Sequence, residues 1–151
     1  MTLNLRDTSA WAIRKVNLQG LVIPETPAFE QPQLPADITS VHASELMQLF
    51  SEFISWLDYI EVQLAAAQID EKHEENILEE MQAGLQIDNS GEKTVTLVKA
   101  KVFKDEDFQD QREKVLKAYS YRRVIETIFN RLDRGRFLVS REVTRRSYGT
   151  D

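Results

Sequence analysis

The chain has 151 residues, a formal net charge of −6 and no cysteine. That length suits one domain's worth of core. It leaves no route to a disulfide framework, a zinc–thiolate site or a thiol nucleophile. The N-terminus MTLNLRDTSAW lacks the basic run and apolar core of a secretion signal, and no apolar run approaches the roughly 18 residues that span a bilayer. The expectation is a protein of the cytoplasm, with no membrane partner.

Residues 1–38 come first. All four prolines fall within Pro24–Pro35, in PETPAFEQPQLP, and proline restricts both itself and its predecessor to extended backbone. Trp11, Ile13, Val16, Leu18, Leu21, Val22 and Ile23 precede or border this stretch without a clean helical face. The segment reads as an extended, Pro-rich N-terminal arm with at most a short strand or helical turn. Such an arm packs on the protein's own helices or clasps a neighbouring subunit.

Residues 39–85 read as a long acidic helix. Leu46, Phe50, Phe53, Leu57, Ile60, Leu64, Ala67, Glu71, Glu74, Leu78, Met81 and Leu85 follow alternating steps of four and three, the a/d seam of a coiled coil, broken only by Glu71 and Glu74. Glu45 sits in the first turn, where an acid suits the helix dipole, and Gly84 offers a stop. At 1.5 Å per residue the helix is roughly 60 Å long. Residues 86–104 form a connector: Asp88-Asn89-Ser90-Gly91 is a turn signal, and the β-branched TVTLVKAKV (94–102) reads as a short strand or as the first turns of the next helix, with an extended segment favoured.

Residues 105–147 read as a second, basic long helix, with 148–151 as a tail. Val115, Ala118, Arg122, Ile125, Phe129, Leu132, Arg136, Val139 and Val143 repeat the seam spacing. Two long helices joined by a returning connector predict an all-α, coiled-coil-like antiparallel hairpin. Leu46, Phe50, Phe53, Leu57, Ile60, Leu64, Ile125, Phe129 and Leu132 would form its seam. The stripes also include Trp56, Tyr59 and Phe137, more rings than one partner helix covers, so the hairpin is expected to form a homo-oligomer.

The residues exclude most catalytic chemistry. A di-iron bundle site needs Glu-x-x-His on two helices; the chain offers one Asp-x-x-His (Asp70 to His73), and its only other histidine, His42, lies at the far end of the same helix. His73 therefore reads as a solvated or seam-edge residue. The five glycines are scattered, so no phosphate loop exists. Glu74-Glu75 and Glu79-Glu80 are adjacent on a helix and point apart. The expectation is a non-enzymatic protein with no metal and no cofactor.

Charge is the informative feature. Residues 42–90 carry one basic and eleven acidic residues, a net of −10, while 112–151 carry eleven basic and five acidic, a net of +6. One explanation is that the basic helix neutralises the acidic one, within or between subunits. The other is contact with nucleic acid: Arg122, Arg123, Arg131, Arg134, Arg141, Arg145 and Arg146 gripping phosphates, with Tyr119 or Tyr121 stacking on bases.

The layout resembles small coiled-coil proteins of tailed bacteriophages, in particular the UvsY-type recombination mediators. The resemblance spans about residues 40–148. It rests on Ile54-Ser55-Trp56-Leu57 in the first helix, Lys93-Thr94-Val95 in the connector and a basic end around Ser140-Arg141. It implies an all-helical, ring-forming oligomer that binds single-stranded DNA and works with a recombinase against single-strand-binding protein in the infected cell's cytoplasm. The family carries bases late in its first helix, whereas residues 70–84 here read DEKHEENILEEMQAG, with Lys72 the only base. Any DNA contact must therefore move to the C-terminal helix. The arm is longer than the family's start, which supports a second expectation: a virion structural or assembly protein of the neck, minor capsid or tail, with other virion proteins as partners.

Overall fold

The computed structural model describes residues 8–149. It is all-α, with no strand among the described residues: α1 (Thr8–Leu18), a 3₁₀ turn (Ile38–Ser40), α2 (Ala43–Asp88), α3 (Val95–Lys104) and α4 (Glu106–Tyr148). The chain divides into two compact units. One comprises 8–15 with 66–123, the other 16–65 with 124–149. In each, a stretch of α2 packs antiparallel to a stretch of α4, the helical-hairpin arrangement expected from the spacing.

The second unit (16–65, 124–149) holds the main core. Leu46, Phe53, Leu57 and Ile60 of α2 are buried with Ile125, Leu132 and Val139 of α4, and Phe50, Leu64 and Phe129 pack against them half-buried. Each fully buried side chain of this kind contributes about 1.5–3 kcal/mol. Gly135 faces Phe53 so closely that a Cβ added there would run into the ring. Phe137, expected within the apolar stripe, is 51 % exposed. It lies two residues from both Gly135 and Val139, and a step of two on a helix of 3.6 residues per turn carries it off the buried face.

The arm supplies part of the cover that the sequence assigned to other subunits. Residues 21–37 run without helix or strand, as the prolines require. Trp56 Nε1 donates to the carbonyls of Phe29 and Glu30, both at 3.2 Å. Arg146 Nη2 donates to Ile38 O and Thr39 O at 3.3 and 3.2 Å, and Ile38 and Val41 pack on the core. Asp37 caps the 3₁₀ turn, accepting from Thr39 N at 2.9 Å and Thr39 Oγ1 at 2.6 Å. Those bonds hold its carboxyl below the usual range.

In the first unit (8–15, 66–123) the two breaks in the α2 seam find polar partners at seam positions of α4. Glu71 takes Arg122 side-on, Nε to Oε2 at 2.6 Å and Nη2 to Oε1 at 3.2 Å. Glu74 takes Gln111 Nε2 on its carboxylate at 2.6 Å and on its backbone carbonyl at 3.0 Å.

Three local expectations are corrected. Residues 8–18 form a helix where an extended arm was predicted. Its C-terminus closes with Leu21 N to Val16 O and Gly20 N to Asn17 O, a Schellman turn that Gly20 permits at φ 75. Residues 95–104 are helical, the alternative to the extended segment that was favoured. Thr94 caps them by accepting from Leu97 N at 3.2 Å, and Val95, Val98 and Val102 recur at helical steps, so the cap and a buried Val102 outweigh β-branching. Gly84 does not end α2. One glycine costs only about 1 kcal/mol in a helix, and the helix closes at Asp88, where Asn89 donates its amide to Leu85 O at 2.7 Å.

Candidate nucleic-acid interface

The arginines of α4 fall into three groups by what they touch. Arg122 is committed to Glu71, with the pair only 18 % and 12 % exposed. Its guanidinium also lies 5.1 Å from the Tyr119 ring centre. This is the neutralising role, realised within the chain at one position. Arg131 bonds Gln31 of the arm. Arg136 pairs with Asp133 at 2.7 Å along its own helix.

Arg145 and Arg146 share Glu142, at 2.7 and 2.8 Å. The two guanidinium groups hold the Glu142 carboxyl down at about 2, from an ordinary 4.5. A carboxylate depressed in this way stabilises the fold fully above pH 4.5, and that contribution is lost as pH falls through about 2. Glu142→Gln is therefore expected to melt below the wild type at pH 6, with the two melting curves converging between pH 4.5 and 2. Parallel acid limbs for the two proteins would refute the assignment.

Arg134 and Arg141 of the second unit face outward. Arg134 is exposed and makes no hydrogen bond or ion pair among the described residues, and Arg141 lies 5.5 Å over the Phe137 ring. Arg134, Phe137, Arg141, Arg145 and Tyr148 follow steps of three, four, four and three, and so form one stripe along the exposed side of α4 in the second unit. It is about 21 Å long at 1.5 Å per residue. Beside it, a groove of about 710 Å³ opens between residues 34–38 and the end of α4, lined by Leu34, Pro35, Ile38 and Leu138 together with Arg141, Arg145, Tyr148 and the Arg-paired Glu142. Guanidinium groups interleaved with exposed rings give a surface that can hold phosphates and stack bases, with no carboxylate of its own left unpaired on that stripe.

The structure does not bring the nine sequence-selected residues to one place. Tyr119, Tyr121, Arg122 and Arg123 belong to the first unit; Arg131, Arg134, Arg141, Arg145 and Arg146 belong to the second. Of the second group, Arg131 and Arg146 hold the arm. Phe137 and Tyr148 were missed as stacking candidates. Their signal was present, since both keep helical register with Arg134 and Arg141 on the side opposite Leu132 and Val139.

His73 is half-buried, and its Nε2 is enclosed without a hydrogen-bond partner, which fits the seam-edge alternative and not the solvated one. Asp70 beside it accepts from Ser9 Oγ at 2.7 Å. Among the described residues no cluster of three or more histidine, aspartate or glutamate side chains is placed to hold a metal ion. Nor is any helix there long and apolar enough to cross a membrane. No protein-family model, curated protein or solved structure matches the chain.

Proposed function

We propose that the chain is a non-enzymatic helical assembly protein of phage type that binds single-stranded DNA through α4, as an accessory factor to a recombinase or single-strand-binding protein in the infected cell's cytoplasm. The observation that supports this reading is the stripe Arg134, Phe137, Arg141, Arg145 and Tyr148, exposed on a protein that is acidic overall. A net-negative chain has no general attraction for polyanions, so a concentrated basic–aromatic stripe is the feature that would carry one.

Arg134 and Arg141 are the residues to test, because neither holds the arm or the core. In fluorescence-anisotropy titrations with labelled oligothymidine at two salt concentrations, affinity should fall steeply with salt. The Arg134→Glu/Arg141→Glu variant should weaken binding and flatten the log–log salt slope by about 1.4, at roughly 0.7 released counterions per phosphate contact. Sequence preference should be slight. Salt-insensitive binding, or equal binding by the variant, would remove the DNA role.

A second reading is a virion structural or assembly protein. The observation favouring it is the bend after α1, which leaves Leu18 88 % and Val22 91 % exposed on the arm. Mass spectrometry of purified particles separates the readings: a structural protein is found in stoichiometric amounts, and a DNA accessory factor is absent.

A further inference from the structure

We propose that the groove between residues 34–38 and the end of α4 takes an unstacked nucleobase of the bound single strand, with the flanking phosphates on Arg141 and Arg145. This rests on the DNA-binding reading of α4 and names what that site recognises. The groove lies wholly within the second unit. At about 710 Å³ it falls within the roughly 300–1,000 Å³ of small-molecule sites. Leu34 and Pro35 of its lining come from the arm, Leu138 and Tyr148 from α4. Leu34, Leu138 and Tyr148 are all exposed, so apolar surface and a ring stand open to a ligand.

The charge around the groove selects an anion. Arg141 and Arg145 stand against one carboxylate, that of Glu142, which accepts hydrogen bonds from both Arg145 and Arg146. Its charge is therefore already compensated, while Arg141 makes no ion pair among the described residues. Arg141 and Arg145 are one helical turn apart, about 6 Å along the axis, close to the span between successive phosphates of an extended strand. A nucleotide held there by its two phosphates has Leu138 three residues before the arginine pair and Tyr148 three residues after it, on the same face. Ser140 adds a hydroxyl to the lining that makes no hydrogen bond among the described residues, and so can meet the polar edge of a base. Two cations at a fixed spacing beside an apolar slot fit a repeating phosphate–base polymer better than an acidic peptide, whose charges have no set interval.

The arm side of the groove is set before any ligand arrives. Asp37 caps the 3₁₀ turn, and Arg146 donates to Ile38 O and Thr39 O. Pro35 has its φ fixed by its own ring. A preset slot gives up little freedom on binding. A base in a duplex is stacked and paired, and entering the groove would cost it both, whereas a single strand offers bases already unpaired. The groove thus favours single strands over duplex, a choice that arginines on phosphates do not make by themselves.

The test compares oligothymidine with an oligomer of the same length whose central residues are abasic, which keeps the phosphates and removes the bases. In fluorescence-anisotropy titrations the wild type should bind the abasic oligomer roughly fivefold or more weakly. The salt slope should be the same for both, since the phosphate contacts are unchanged. Leu34→Ser/Leu138→Ser should bind oligothymidine about as weakly as the wild type binds the abasic oligomer. Ala36→Trp, at an exposed position of the lining, blocks the groove without touching the core and should give the same loss. Equal binding of both oligomers by the wild type would overturn the groove assignment and leave the DNA reading intact. So would a base dependence that survives in both variants, the result expected if bases stack only on Phe137 or if the groove takes an acidic peptide. Failure to bind either oligomer would remove the DNA reading, and this inference with it.

Discussion

Replacing Phe53 with Ala is expected to lower the unfolding free energy by about 3–5 kcal/mol, the usual cost of a buried ring removed from a core that cannot collapse. Phe53 is buried at the centre of the second unit, among Leu57, Leu132 and Val139. Phe129, half-buried in the same cluster, should cost less. The partner of Phe53 makes a sharper experiment. A Cβ on Gly135 would meet the Phe53 ring, so Gly135→Ala should be destabilising by about 1–3 kcal/mol through overpacking. In the Phe53→Ala background the ring is gone, the new methyl enters the vacated space, and Ala is the better helix former by about 1 kcal/mol. Gly135→Ala should then stabilise. That reversal of sign is a coupling only residues in contact can show. Urea unfolding of the four proteins measures it, and the same sign in both backgrounds would mean that Phe53 does not sit on Gly135.

The same pair shows what the sequence made legible. The seam was readable because Leu46, Phe53, Leu57, Ile60, Ile125, Leu132 and Val139 recur at three and four, and a long helix can bury such a stripe on one side only. Gly135 gave no such signal. A glycine inside a helix is uninformative until the residue facing it is known, and facing residues depend on register between helices. Glu71 and Glu74 were visible as breaks in one seam, and Arg122 as a break in the other. That Glu71 meets Arg122 while Glu74 meets Gln111 is again a fact of register.

The local errors have a different cause. At 8–18 and 95–104 the sequence lacks a broad apolar face, and short helices take their stability from caps and docking more than from composition. Thr94 and Gly20 were the available signals, one a cap and the other a terminator. For the candidate interface, charge alone selected arginines without saying which were already in use. Arg122 and Arg146 turn out to hold the structure, and Arg134 and Arg141 to face outward, because an arginine near a carboxylate in space need not be near it in sequence.

Arg122→Met is expected to cost about 3–5 kcal/mol, because it leaves the Glu71 carboxylate enclosed without its counter-ion. The pair is bidentate and mostly shielded from water, so the loss should persist at high salt, unlike that of an exposed pair. The cation over Tyr119 disappears with it. Yet the pair need not be worth that much in itself. Removing both charges, as Glu71→Leu/Arg122→Met, replaces two desolvated ions by apolar groups of similar size, an exchange that is often neutral or stabilising by about 1–4 kcal/mol. The double variant should therefore regain what the single one loses. Its cost should appear in uniqueness. With Leu at 71, the α2 seam runs apolar from Leu46 to Ala67 and on through 71, and a heptad step along α4 then meets little penalty, since the ion pair that marked the register is gone. The expected signature is a high denaturation midpoint with a shallower transition and a mixed oligomeric state by sedimentation. A double variant as cooperative and as uniform as the wild type would show that register is set elsewhere, by the fit of Phe53 on Gly135.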